Sequence, residues 1–391
     1  ALEGGLGTET IRMMVEGEFG YVDTILTIGC AMIFMKVIEG SGALDALSSL
    51  IIEKFHRFPA VLLDLIMLII MFPGMITGSS TAAVLSAGSI MAPVLALMGI
   101  DAVTSGSIIA MGALLGMIAP PVNTAALIIC AGIDVPYVGF EGPLALITFP
   151  LAILFVLLLG YKQARHMDYE KLKPALEKQD AIRKQYGVRI YIPLLVLVAL
   201  MVIFKVLKLG EDIGMPLMFL ISAAVGLFTG KKINVLTAVP EAIRTAAPVM
   251  GILMGVGMFI EVMTATGVRG LVVISCLRLP STLWLLACAI SIPLFGAVSS
   301  YGACSVLGVP FAYIYASLLG GNSVVVLAAI SLIAAVGDMM PPTALAGLFA
   351  AQVTGVEKYT EILKRCIVPI IILLVYACFF LANSKLIAGL F

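Results

Sequence analysis

Pro73-Gly74-Met75-Ile76-Thr77-Gly78-Ser79-Ser80-Thr81-Ala82 sets a small, hydroxyl-rich tip between two apolar runs, each too short for an ordinary membrane span. A second stretch, Pro293-Leu294-Phe295-Gly296-Ala297-Val298-Ser299-Ser300-Tyr301-Gly302, does the same 220 positions later. This is the pattern of a helical hairpin that enters a bilayer and leaves on the side it came from. Non-helical backbone at membrane depth is tolerated only where protein buries it or a cavity receives it. Two such tips in corresponding parts of two repeats point to a substrate site at the repeat interface.

Composition supports a membrane reading. Of 391 residues, 61% are hydrophobic and 12% charged, with a mean hydropathy of +1.15. A water-soluble domain carries about 25% charged residues, so this chain could not cover a wet surface. The expected class is an all-α polytopic membrane protein. The formal net charge is zero, and no basic patch suggests nucleic acid. The seven cysteines lie in or beside apolar runs without a Cys-x-x-Cys, as small buried hydrophobes do. No signal peptide is evident, and the absence of a Gly-x-x-x-x-Gly-Lys-Ser/Thr motif argues against ATP binding through a P-loop.

Along the chain, an amphipathic arm near Thr8–Val15 precedes a span over 21–38 and an amphipathic segment over 43–58. The first hairpin follows, with limbs at 59–73 and 82–98. The run 103–133 is apolar but interrupted by Ala119-Pro120-Pro121-Val122-Asn123-Thr124, so it reads as a broken span. A full span covers 143–161. Residues 162–189 are polar, carry eight Lys and Arg, and are expected to be cytoplasmic. Spans at 190–206 and 215–228 come next, then a second arm at 234–246 and a span at 247–266. The second hairpin covers 280–318, the second broken span 324–353 around Met340-Pro341-Pro342-Thr343, and the last span begins near Glu361.

Landmarks recur at offsets of about 220 to 230 residues, which predicts an internal duplication with two re-entrant hairpins and two broken transmembrane helices. The expected divisions are a first repeat (1–161), a linker (162–189) and a second repeat (190–391). Five crossings separate the copies, and a hairpin cannot change that parity, so the repeats should run in opposite directions. With the linker inside, the first hairpin opens to the cytoplasm and the second to the outside. The second arm is preceded by two spans and the first by none, so about 40 further N-terminal residues are expected in the natural protein.

The tips offer the hydroxyls of Thr77, Ser79, Ser80 and Thr81, and of Ser299, Ser300 and Ser305. Helix N-termini pointing at a common centre suit a carboxylate. Unwound carbonyls with Ser, Thr and Asn oxygens suit Na⁺. Asn123, Thr124 and Thr343 stand beside the Pro doublets. Asp338 is an ionisable group inside an apolar run, three positions before Pro341, and is read as a coupling residue. Gly112 and Gly116 read as helix packing, Lys36 and Glu261, at corresponding span ends, as side chains that pair within the bundle or, the favoured reading, snorkel, and His56 and His166 as exposed. No catalytic or metal-ligand constellation stands out, so an enzyme is not expected.

The block Gly74–Pro93, then Gly99-Ile100-Asp101, then Met117-Ile118-Ala119-Pro120-Pro121 resembles the large membrane subunit of tripartite ATP-independent periplasmic (TRAP) transporters. Gly337-Asp338-Met339-Met340-Pro341-Pro342, with Leu345 and Phe349-Ala350-Ala351, resembles the matching second-half segment. The resemblance implies the ion transporter superfamily fold and an elevator carrier in a bacterial or archaeal inner membrane. It also implies Na⁺-driven uptake of an organic acid anion, a carboxylate or dicarboxylate. Its implied partners are a small four-span membrane subunit and a periplasmic binding protein. Carried over, Ser79, Ser80, Asn123 and Thr124 would sit by one Na⁺ and the substrate, and Ser299, Ser300, Asp338 and Thr343 by the other. The alternatives are a superfamily carrier that needs no binding protein, coupled to Na⁺ or H⁺, and a channel or scaffold subunit. The expected absence of rings of like charge disfavours a channel.

Overall fold

The computed structural model describes residues 9–20, 22–165, 181–206, 210–299 and 304–391. Of residues 204–206, 210–213, 269, 272–273, 276–277, 281–282, 298–299 and 304–305 it describes the backbone only. The described residues are helical throughout, without strands. Among the described residues six helices are long and apolar enough to cross a membrane, or seven if one bent pair counts as a span, and they include both limbs of the first hairpin, Pro59–Thr77 and Ser80–Leu97, which the sequence suggested were too short.

In chain order, α1 is Glu9–Phe19, α2 Val22–Ser41, α3 Ala43–Phe55 and α4 Pro59–Thr77. Then α5 is Ser80–Leu97, α6 Ala102–Ile118, α7 Thr124–Gly132 and α8 Glu141–Ala164. In the second half α9 is Ile192–Val206, α10 Gly210–Gly226, α11 Val235–Ala265, α12 Val268–Leu277 and α13 Ser281–Ser299. A π-helical turn, Cys304–Gly308, leads into α14, Val309–Ala312. Helix α15 is Ser323–Ala335, α16 Leu345–Thr354, α17 Tyr359–Ala382 and α18 Ser384–Ala388.

One expectation is corrected. The second arm and the span after it form a single helix, α11, of 31 residues. Pro240 and Pro248 lie inside it without stopping it. A membrane helix tolerates proline where neighbours and local adjustment satisfy the freed carbonyl, and no glycine or polar turn residue accompanies these two. In the first half the corresponding elements remain two helices, α1 and α2. The arm α1 packs along α11, with Gly17 against the backbone of Gly257 and the Cβ of Glu261. Of the polar linker, 166–180 lies outside the described residues, and so does His166. Arg183 beyond it pairs with Glu53 on α3.

Local devices recur between the halves. Pro73 lies inside α4 and Pro293 inside α13, 220 positions apart. A π-helical turn follows each tip, at Val84–Gly88 and Cys304–Gly308. Asp101 caps α6 by accepting from the Thr104 backbone, as Asn322 caps α15 by accepting from Val325. Both doublets, Pro120-Pro121 and Pro341-Pro342, are cis. Gly74 faces the backbone of Gly116, and Gly296 faces that of Gly337, so each hairpin meets its broken span backbone to backbone. A Cβ on Gly116 would fall 2.5 Å from the Met71 carbonyl, which explains the small residue there.

The first limbs of the broken spans, α6 and α15, form the centre of the fold. Every residue from Thr104 to Ile118 and from Val325 to Ala335 is buried. The second limbs cross over. Helix α7 packs against α15 and the second hairpin, while α16 packs against α6 and the first hairpin. On the outside, α17 exposes Ile367, Ile371, Val375 and Phe379 in one stripe at helical spacing, as a lipid-facing surface requires.

Candidate functional site

The first tip is two residues long. Helix α4 ends at Gly78, whose φ of 63° is left-handed. A Cβ there would stand 2.1 Å from the Thr124 hydroxyl oxygen, so both conformation and space demand glycine. Ser79 is extended and caps α5, its Oγ accepting from the Ala82 N–H. The Thr77 hydroxyl donates to the Pro73 carbonyl at 2.7 Å and accepts from the Ser79 N–H at 3.3 Å. Thr77 and Ser79 are therefore spent on holding the turn. Ser80, fully buried, is the tip hydroxyl that reaches out of the hairpin.

It reaches the other half of the chain. The Ser80 hydroxyl donates to Asp338 Oδ2 at 2.5 Å. Asp338 sits in a 3₁₀ turn, Val336–Met339, at the end of α15 and is 2% exposed. The resemblance implies separate ion sites for these two residues, and the fold brings their side chains into hydrogen-bond contact. Sequence spacing could not show this, because it relates each residue to its own repeat and says nothing of how the limbs cross.

Asn123 stitches the first break together. Its Oδ1 accepts from the Ala126 N–H at 2.9 Å and so caps α7. Its Nδ2 donates to the Ile118 carbonyl at the end of α6 and to Ser331 Oγ on α15. Thr124 donates to the Gly78 carbonyl at 3.1 Å, and Thr343 donates to the Ala297 carbonyl at 2.9 Å. Each threonine after a Pro doublet thus fastens its broken span to the tip of its own hairpin, 46 residues back. Ser299 ends α13 with its side chain outside the described residues; Ser300 lies outside them altogether, as does the Ser305 side chain.

Two participants carried no sequence signal, and a third was read for another role. Tyr137, in the loop after α7, accepts from the Asn123 N–H and donates to the Pro121 carbonyl, bridging the unwound segment. Ser331 looks like any small residue of an apolar helix. Lys36, expected to snorkel, instead pairs with Glu241 of α11 at 2.8 Å and with Glu39 at 3.5 Å. Lys36 and Glu39 border a cavity of about 400 Å³ between α2, α11 and the first hairpin, to which Ser79, Thr81 and, from α11, Ala242 and Thr245 also contribute. Glu261, paired with Lys36 only by repeat position, lies beside α1.

The arrangement gathers hard oxygen donors. A carboxylate and a serine hydroxyl meet in a buried setting, and such oxygens, with unwound carbonyls, are the donors that suit a weakly bound monovalent cation. An ionised carboxyl within a membrane-spanning segment costs about 2.5–3.5 kcal/mol or more, a cost that hydrogen bonds, a cation or a proton offset. Among the described residues no cluster of three His, Cys, Asp or Glu side chains is placed to hold a metal ion.

Comparisons with known proteins agree on a transporter fold. The family model described as "Tripartite ATP-independent periplasmic transporter, DctM component" matches residues 9–384. The YdaH transporter of Alcanivorax borkumensis superposes with a TM-score of 0.65 at 16% identity, over 97% of this chain and 89% of that one. MtrF of Neisseria gonorrhoeae, described as illuminating a class of antimetabolite efflux pumps, superposes at 0.62 and 14% identity, over 97% and 83%. At these identities the likeness is one of fold. Among curated protein sequences, none matches significantly.

Proposed function

This chain belongs to the DctM family of tripartite ATP-independent periplasmic transporters, and from that premise we propose a Na⁺-coupled carrier importing a small organic acid anion. It is a multi-pass membrane transporter by family and by its apolar helices. Beyond that, the proposal is a permease subunit of the inner membrane that takes up a carboxylate or dicarboxylate. It would work with a small membrane subunit and a periplasmic binding protein, without ATP of its own.

The observation that carries the reading is the Ser80–Asp338 hydrogen bond, which places an ionisable carboxyl at the tip of the opposite half's hairpin. A cation bound there would draw the first tip and the second broken span together. That gives an ion a means of stabilising the geometry an anion needs. The crossing of α7 and α16 supports an elevator, because it ties both hairpins and both broken spans into one body. Opposed repeats, 1–161 and 190–391 around the 162–189 linker, are part of the same proposal. Gly106, near the start of α6, lies against Thr354 at the end of α16, as antiparallel broken spans would have it.

The test is uptake of radiolabelled organic acids into proteoliposomes under an imposed Na⁺ gradient, with K⁺ substituted as the control. Uptake that follows Na⁺ in the wild type and is lost in Asp338→Asn is expected. Flux indifferent to both Na⁺ and Asp338 would sink the coupled carrier.

A further inference from the structure

The cavity beside the first tip holds a cation from outside either hairpin. We propose that Lys36 receives the substrate's carboxylate, and that Glu241 is a built-in carboxylate holding that position until the substrate arrives. The inference rests on the carrier reading and names the charge partner that reading lacks.

Lys36 is the one basic side chain among the described residues lining the cavity. Facing it, the first hairpin contributes Thr81 and Ser79, whose oxygen also caps α5, and Ser86 and Ser89, whose hydroxyls donate to carbonyls of their own helix. The volume of about 400 Å³ falls within the range that accommodates small organic ligands. An anion lying there would touch α2 and α11 on one side and the hairpin tip on the other. That is where a carrier must hold its cargo if one body is to move past another.

The two acidic partners of Lys36 differ. Glu39 sits three residues along the same helix and within reach of the Ser86 hydroxyl, its side chain 28% exposed. Glu241 comes from α11 and its side chain is 62% exposed. Lys36 is half-buried, but the Glu241 end of the pair is open, and an ion pair with one end in water contributes little net because water solvates that ion almost as well. Glu241 can therefore swing into water while Glu39 stays. A substrate carboxylate then takes the vacated hydrogen-bond position without leaving Lys36 unpaired. With a single cation in the cavity, one carboxylate is paired by charge, and hydroxyls meet the remaining polar end. Small mono- or dicarboxylates with a hydroxyl or keto group fit that lining.

The experiment measures Na⁺-driven uptake in proteoliposomes, using a panel of small mono-, di-, keto- and hydroxycarboxylic acids as probes. Lys36→Gln is expected to raise the apparent KM for the best acid about tenfold or more, the scale of a lost charge-assisted hydrogen bond. Lys36→Arg keeps most of the affinity. Glu241→Gln removes the competitor and lowers KM about threefold, the scale of an exposed pair. The double variant behaves as Lys36→Gln does. Melting curves in detergent confirm that each variant is folded. An unchanged KM in Lys36→Gln overturns the inference. So does a Glu241→Gln variant weakened as much as Lys36→Gln, because the pair would then be a structural tie. If the wild type takes up none of the acids, the carrier reading falls and takes this inference with it.

Discussion

Ser80 and Asp338 are separated by 258 positions in the sequence and by 2.5 Å in the fold, the serine hydroxyl donating to the carboxylate. Both are buried, Ser80 completely. Removing the hydroxyl keeps the carboxylate but loosens its aim. Ser80→Ala should raise the Na⁺ concentration for half-maximal uptake by about tenfold, as loss of a ligand-orienting partner typically does. Its maximal rate should fall less than that of Asp338→Asn. Na⁺ titration of uptake in proteoliposomes checks this, and an unshifted Na⁺ dependence would separate the bond from coupling.

Gly78 and Thr124 form a matched pair at the first tip. Gly78→Ala imposes about 1–2 kcal/mol of left-handed backbone strain, and its Cβ meets the Thr124 hydroxyl at 2.1 Å. The variant should melt lower and transport poorly. Gly78→Ala with Thr124→Ala removes the nearest atom and should recover part of the lost stability, leaving the backbone strain. Thermal melting of the two variants side by side tests it: equal melting points would mean that the clash relaxes by another route.

Tyr137 holds the unwound segment with a single oxygen. Tyr137→Phe leaves the Asn123 N–H without its partner and the Pro121 carbonyl without its donor. An unsatisfied buried polar group costs about 1–3 kcal/mol. Uptake should drop with no change in membrane insertion, and the Val122 and Asn123 amides should lose protection in hydrogen exchange. Unaltered exchange there would show that the hydroxyl does not fasten the break.

Asp101 offers a pH prediction outside the spans. It accepts from the Thr104 N–H at 2.9 Å, the Thr104 hydroxyl at 2.8 Å and Gln163 Nε2 at 2.6 Å. Burial alone would raise its pKa, but these hydrogen bonds, with Arg365 nearby, outweigh burial and hold it below the ordinary carboxylate value. A depressed folded-state pKa means stabilisation that is complete above the unfolded pKa and lost as pH falls through the folded one. Asp101→Ala should cost about 1 kcal/mol at neutral pH, the usual worth of a helix cap. The gap between wild type and variant should close on acidification below the carboxylate range. A gap that persists below that range would assign the effect to packing.

The elements that sequence disclosed were those with local chemistry. Gly78 with its neighbouring serines, the Pro doublets and the apolar run lengths mark a tip, two breaks and the spans, because each depends on residues within a turn or two. Asn123 and Thr124 were legible as residues of the break for the same reason. The pairing of Ser80 with Asp338 was not, since it arises from limbs of one half crossing onto the other. Nor was the place of Lys36, whose position at a span end suits snorkelling until Glu241 and the first hairpin close around it. The join of the second arm to its span in α11 was missed because Pro248 looks like a stop where lipid and neighbouring helices let the helix continue.

The crossing of α7 and α16 bears on how the protein is made. Helices enter the bilayer one after another as the ribosome delivers them, and Thr124–Gly132 is inserted long before Ser323–Ala335, the helix it packs against, has been synthesised. The early limb must wait in lipid, or on a chaperone, with its packing face bare. Membrane insertion and assembly of the core are therefore separate events, and the second cannot finish until translation has nearly ended.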